Sequence, residues 1–169
     1  MRLLHRRELV RRAAAIFGTL ATARALGPRV LRAQATPAPQ KPPPLPADLV
    51  KEFVIAAHLN LDKVKTMLGD EPRLINATWD WGGGDFETAL GGASHMGRPD
   101  IAAALLAAGA RMDLFCATMM GKADVVRACI ADAPGIVHVK GPHGISLLRH
   151  ATAGKQESIA ALLTAAGAS

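Results

Sequence analysis

The chain has 169 residues, half of them apolar and only 4% aromatic, with 20 basic against 14 acidic side chains. That leaves room for one domain with appendages, and the dominance of alanine and leucine favours packed helices over a sandwich or barrel. The net charge of +6 is concentrated at one end: residues 1–35 hold eight arginines against Glu8, leaving 12 basic and 13 acidic side chains elsewhere. A near-neutral body has no broad basic surface to neutralise phosphates, so nucleic-acid binding is not expected.

Residues 1–12 are strongly positive, Ala13 to Ala23 are mostly apolar, and Ala33-Gln34-Ala35 reads as an A-x-A cleavage site. This is the three-part layout of a secretory signal. The apolar stretch is too short to span a bilayer of roughly 30 Å, so no stable membrane insertion is expected after cleavage. Arg6-Arg7-Glu8-Leu9-Val10-Arg11 resembles the twin-arginine export motif. That resemblance implies a bacterial periplasmic protein exported already folded, and it does not imply a cofactor. The competing reading is a basic amphipathic helix that stays attached to anionic lipid. Residues 1–35 are therefore read as a signal peptide, and 36–46 (TPAPQKPPPLP) as a semi-rigid polyproline spacer, with service as a ligand for a proline-binding groove as the alternative.

From Ala47 to Ser169 the chain repeats itself. Gly97, Gly121 and Gly154 are each followed three residues later by a carboxylate, Asp100, Asp124 and Glu157. Apolar pairs follow at Leu105-Leu106, Cys129-Ile130 and Leu162-Leu163. An earlier copy, His58 to Leu68, has Leu59 in the glycine slot. In each copy a first helix should run up to the glycine, whose left-handed turn lets a second helix run back antiparallel. The carboxylates fall in the first turn of the second helices, where the dipole and free N–H groups favour them. Pro99 is tolerated at the same place.

The segment from Thr88-Ala89-Leu90 through Gly97 to Leu105-Leu106-Ala107-Ala108-Gly109-Ala110 resembles the ankyrin repeat, and Leu162 to Ala168 closes in the same way. The resemblance covers 47–169 and implies an all-α ankyrin-repeat solenoid of about four helix-turn-helix units. The third unit is expected to be shortened, because Met112-Asp113 leads straight into its first helix and leaves no room for a projecting finger. Two fingers remain, at about 77–87 (TWDWGGGDFET) and about 137–146 (VHVKGPHGIS).

The expected function is non-catalytic: an exported scaffold that holds a periplasmic protein partner, either as a general binding module or as an accessory to one enzyme. Exposed tryptophans are frequent interface hot spots, so the first finger supplies Trp79, Asp80, Trp81, Asp85, Phe86 and Glu87 as contact candidates, with one tryptophan expected to fold back and one to remain available. The second finger supplies His143. The ends of the first helices supply His58, His95, Met96, Met119 and Met120, the methionines being adaptable apolar contacts or ordinary packing. There is no H-E-x-x-H, C-x-x-C or paired Cys–His spacing, so neither a metal nor any other cofactor is expected. No serine nucleophile elbow is present. The alternative is a small-molecule or metal binder using the Trp79–Asp85 loop with His95. His150 is read as a packing residue, and Cys116 and Cys129 as core thiols, with a disulfide between them as the alternative.

Overall fold

A computed structural model describes residues 41–169; the expected export signal and the first part of the spacer lie outside the described residues. Regular structure begins at Ala47, where the spacer was expected to end. Eight α-helices follow: α1 (Ala47–Leu59), α2 (Leu61–Asp70), α3 (Ala89–His95), α4 (Pro99–Ala107), α5 (Leu114–Met119), α6 (Ala123–Asp132), α7 (Leu147–Ala153) and α8 (Glu157–Ala165). Two short antiparallel strands, β1 (Thr78–Asp80) and β2 (Phe86–Thr88), form a hairpin in which Trp79 faces Glu87. The described residues are thus mostly helical. The first helices α1, α3, α5 and α7 stack in chain order, and each packs on the helix that follows it.

Local chemistry sets these boundaries. Thr88, Asp113 and Ser146 cap α3, α5 and α7 by accepting the backbone N–H of Gly91, Cys116 and Arg149, and Asn60 does the same for α2. Such caps contribute about 1 kcal/mol each. The second helices carry Asp62, Asp100, Asp124 and Glu157 in their first turns, three of which the repeat pattern anticipates. Gly97 and Gly121 take the left-handed conformation at φ 64° and 76°. The last turn differs from expectation by one position. There Lys155 is left-handed at φ 56°, while Gly154 has an ordinary helical φ of −80°. Gly154 is needed for another reason: its Cα lies against the Met119 carbonyl, where a Cβ has no room.

The core forms two apolar clusters, one around Phe53, Leu74, Leu90, Ile101 and Leu105, the other around Val126, Leu147, Ile159 and Leu163. Cys116 is buried and Cys129 half-buried, and both are free thiols, so no bridge joins them. Burial pushes the Cys116 thiol up from its ordinary pKa. His150 is fully buried against Phe115 and donates from Nδ1 to the Ser146 carbonyl. Burial lowers its pKa, keeping the imidazole neutral.

The connections between helix pairs are unequal. Residues 71–88 carry the hairpin and 133–146 form a long loop, whereas 108–113 pass directly into α5. Across the short α5, α7 also touches α3, and Gly97 lies against Ala153. The hairpin and the 133–146 loop therefore meet with no third finger between them.

The close approach at Gly154 makes a testable contrast with Gly69 on α2, which has open space around it. Gly154→Ala is expected to destabilise by about 1–3 kcal/mol through overpacking. Gly69→Ala should be neutral or stabilising by up to about 1 kcal/mol through helix propensity. Urea denaturation of the two variants checks both signs.

Candidate metal centre

His58 lies in the last turn of α1, and its Nδ1 is 2.9 Å from the Val54 carbonyl oxygen. A carbonyl only accepts, so Nδ1 carries the hydrogen and Nε2 presents its lone pair. The ring has room because residue 92 is glycine: a Cβ there would lie 2.8 Å from the imidazole Cε1. At Gly91 a Cβ would meet the Glu87 Cγ and the Pro142 ring at ordinary contact distances of 3.5 and 3.6 Å. Each helix-interior glycine costs about 1 kcal/mol relative to alanine. At position 92 that cost is explained by the ring the glycine admits.

Glu87 projects inward from β2 and has no exposed surface. The Trp81 indole N–H donates to its Oε2 at 2.9 Å, and His95 Nε2, from the last turn of α3, lies 2.8 Å from Oε1. His143 Nε2 and His58 Nε2 lie 3.4 and 3.6 Å from Oε2. Burial by itself would raise the Glu87 pKa. The hydrogen bond from His95, the electrostatic influence of the nearby His58 ring and the bond from Trp81 outweigh it and hold the carboxyl below its ordinary value.

His143 comes from the loop at Pro142–Gly144 and adopts φ 57°, ψ 21°, a left-handed conformation that a residue with a Cβ rarely takes. Asp85, the last residue of the hairpin loop, holds it there with both oxygens: Oδ1 accepts the His143 backbone N–H at 2.9 Å and Oδ2 accepts the ring Nδ1–H at 2.8 Å. The backbone N–H contributes most to holding the Asp85 carboxyl below its usual pKa; partial burial opposes this, and the His143 ring bond adds to it. With Nδ1 committed to a carboxylate, the His143 lone pair also sits on Nε2, which faces Glu87.

Three imidazole Nε2 atoms and one carboxylate thus converge, with all four ligand atoms within 4.8 Å of one another. His58 Nε2 and His95 Nε2 are 3.2 Å apart. In the neutral state at most one of the three nitrogens, that of His95, can bring a proton. Electron pairs therefore outnumber protons, a donor set that suits a cation. A tetrahedral ion with bonds of 2.0–2.1 Å needs ligand–ligand edges of about 3.3 Å. Around Glu87 Oε2, the His143 and His58 Nε2 atoms at 3.4 and 3.6 Å and the 3.2 Å between His58 and His95 lie near that value, and the whole set falls within 4.8 Å. The Val54 carbonyl and Asp85 are the outer partners that metal-ligating histidines ordinarily have.

The residues anticipated from sequence divide sharply. His58, Glu87, His95 and His143 come together, with Trp81 and Asp85 in direct support. Trp79 is half-buried against the core with Lys51 Nζ 5.4 Å from its ring centroid, so it is the tryptophan that folds back. Trp81 is partly exposed, but its N–H is committed to Glu87. Asp80 accepts the Gly82 N–H and stays at the surface. Phe86 and Met96 are exposed at 60% and 42%. Met119 is fully buried and Met120 packs against the core, which removes the expected methionine pair from the surface. Glu87 is likewise buried and unavailable to a partner. Gly91 and Gly92 had no part in the expected site. Their signal was there, as two adjacent glycines inside a helix.

A comparison with known protein families finds no matching family model, and no curated protein matches the chain.

Because the Glu87 pKa is depressed in the fold, its contribution to stability is fully present above its unfolded value of about 4.3 and is lost as pH falls through the lower folded value. The urea midpoint of wild type should exceed that of Glu87→Gln at pH 6, with the gap narrowing steadily below about pH 4.3. A gap that widens on acidification would contradict this electrostatic assignment.

Proposed function

We propose that this chain is a metal-binding module that holds one divalent first-row transition ion on His58 Nε2, His95 Nε2, His143 Nε2 and one oxygen of Glu87. The observation that carries the reading is the convergence of three imidazole Nε2 atoms on a fully buried carboxylate, two of them held as lone-pair bearers by Val54 and Asp85 and the third, on His95, giving up its proton when an ion binds. Three imidazoles and a carboxylate suit zinc, cobalt, nickel or copper better than calcium or magnesium, which take all-oxygen shells. Four protein donors complete a tetrahedral shell, which supports binding over catalysis, since catalytic zinc keeps a position open.

The scaffold is read as an ankyrin-type solenoid of four units, supported by the stacked first helices, the left-handed turns and the carboxylates that open the second helices. Export by a twin-arginine route, inferred from Arg6-Arg7, would place the centre in the periplasm. Among the described residues no helix is long and apolar enough to cross a membrane. A second reading, capture of a periplasmic protein partner, draws on the exposed side chains of Ile55, Leu59, Phe86 and Met96, which lie next to or within four residues of a ligand in sequence. A Phe86→Ser/Met96→Ser variant that loses a crosslinked partner while still binding metal would support it.

Titration of the chain with Zn²⁺ should show one ion per chain, and Co²⁺ should give the intense visible bands of a tetrahedral N/O site. His95→Ala or Glu87→Gln should abolish both. Affinity should fall as pH is lowered through the histidine range, because each imidazole must be neutral to ligate. Saturation at 100 times the dissociation constant should raise unfolding stability by about 2.7 kcal/mol. Absence of stoichiometric binding would defeat the reading.

A further inference from the structure

We propose that the centre holds its ion as exchangeable cargo, with His143 as the ligand that opens, so that the chain is a metal carrier handing the ion to an incoming donor. This rests on the metal-centre reading. The four ligands are held in two different ways. Glu87 has no exposed surface and the His95 side chain is 8% exposed. The His58 side chain is 20% exposed and pinned by the Val54 carbonyl. All three sit on α1, β2 and α3, elements that share one core.

His143 is different. Its side chain is 34% exposed, and its neighbours His138, Val139, Lys140 and Gly144 are exposed too. Its backbone is left-handed, a conformation unfavourable for a residue with a Cβ. Its polar hold on the hairpin runs through Asp85, whose side chain is itself 30% exposed. The loop base is anchored by the Gly141–Ile145 backbone bond and by Gly141 against Phe115, so the segment free to open is the tip that carries His143. Parting the tip from Asp85 breaks solvent-accessible hydrogen bonds and leaves the core packed.

Opening of the loop leaves the ion on His58, Glu87 and His95 with one position facing solvent. The transfer is a ligand substitution. The bond from His143 Nε2 to the metal breaks, and a bond from the incoming nitrogen, sulfur or oxygen donor forms. The remaining three ligands are then exchanged in turn. No electrons are transferred and the ion stays divalent throughout.

The test loads the full chain with Zn²⁺, removes the excess, and follows transfer to the chromophoric chelator 4-(2-pyridylazo)resorcinol while helicity is recorded by circular dichroism. A carrier gives a release rate that rises with chelator concentration, with helicity retained. Asp85→Asn, which leaves all four ligands in place, should still take up one Zn²⁺ and release it about 10-fold faster or more. His143→Ala should retain one Zn²⁺ on the other three ligands, with an affinity loss larger than that of Asp85→Asn, whose outer-partner change costs about 10–100-fold. Release that is independent of chelator and coincides with loss of helicity would overturn the carrier and make the ion a structural one. An unchanged release rate in Asp85→Asn would overturn the role of the loop. Failure of the wild-type chain to take up Zn²⁺ in equilibrium dialysis would overturn the metal centre itself, and the carrier with it.

Discussion

The Glu87 carboxylate has no exposed surface, and a charge in that position must be matched or it destabilises the fold by several kcal/mol. Much of the local structure answers that requirement. The register of the hairpin sets Glu87 opposite Trp79 and on the inward face, with Phe86 and its cross-strand partner Asp80 facing water. Trp81 turns its N–H to one oxygen and His95 turns a ring nitrogen to the other. His58 and His143 close the remaining sides, each with its outer nitrogen already engaged. A buried salt bridge is weak ground for inferring stability, since apolar residues of similar volume often do as well. The proposed metal site gives the cluster a reason that stability alone does not.

The second constraint is topological. Glu87 and His143 are far apart in sequence, and their loops belong to the second and fourth helix pairs. They touch because residues 108–113 enter α5 directly and α5 is only two turns long, so α7 packs on α3 as well as on α5. An added finger in the third pair would project into the space that His143 crosses to reach Asp85. The irregular third unit, which reads in sequence as a degenerate repeat, is in the structure the feature that lets the site form.

The helix pairs, their order, the first-turn carboxylates and the two long connections are legible in the sequence because each depends on local chemistry: glycine turns, small-residue packing and apolar pairs at fixed offsets. The left-handed position in the last pair is misplaced by one residue, since glycine at 154 serves a close contact and Lys155 takes the turn. The ligands themselves are visible in sequence as exposed-looking histidines and a finger carboxylate. Their convergence is not, because it depends on the short α5 and on a non-local hydrogen bond from His143 to Asp85. Compact metal motifs are readable when one helix or knuckle brings several ligands. Here four ligands come from α1, β2, α3 and the 133–146 loop, and no spacing rule spans them.

Local rules are broken at several points in this chain, and where they are broken carries information. Adjacent glycines interrupt the short α3, a histidine takes a left-handed backbone, and a glutamate is fully buried. Each is unfavourable by about 1 kcal/mol or more when considered alone. They act on the same small region: Gly92 admits His58, and the turn at His143 aims its Nε2 at the buried Glu87. Departures scattered at random would imply a loosely specified sequence. Departures that converge imply that stability is given up locally to fix a geometry, which is the expected signature of a functional site. His150, buried with an unpartnered Nε2, and Lys155, left-handed at a turn, contribute no ligand to this centre. They measure how much irregularity the scaffold tolerates without a site to account for it, and that background makes the concentration around Glu87 the more informative.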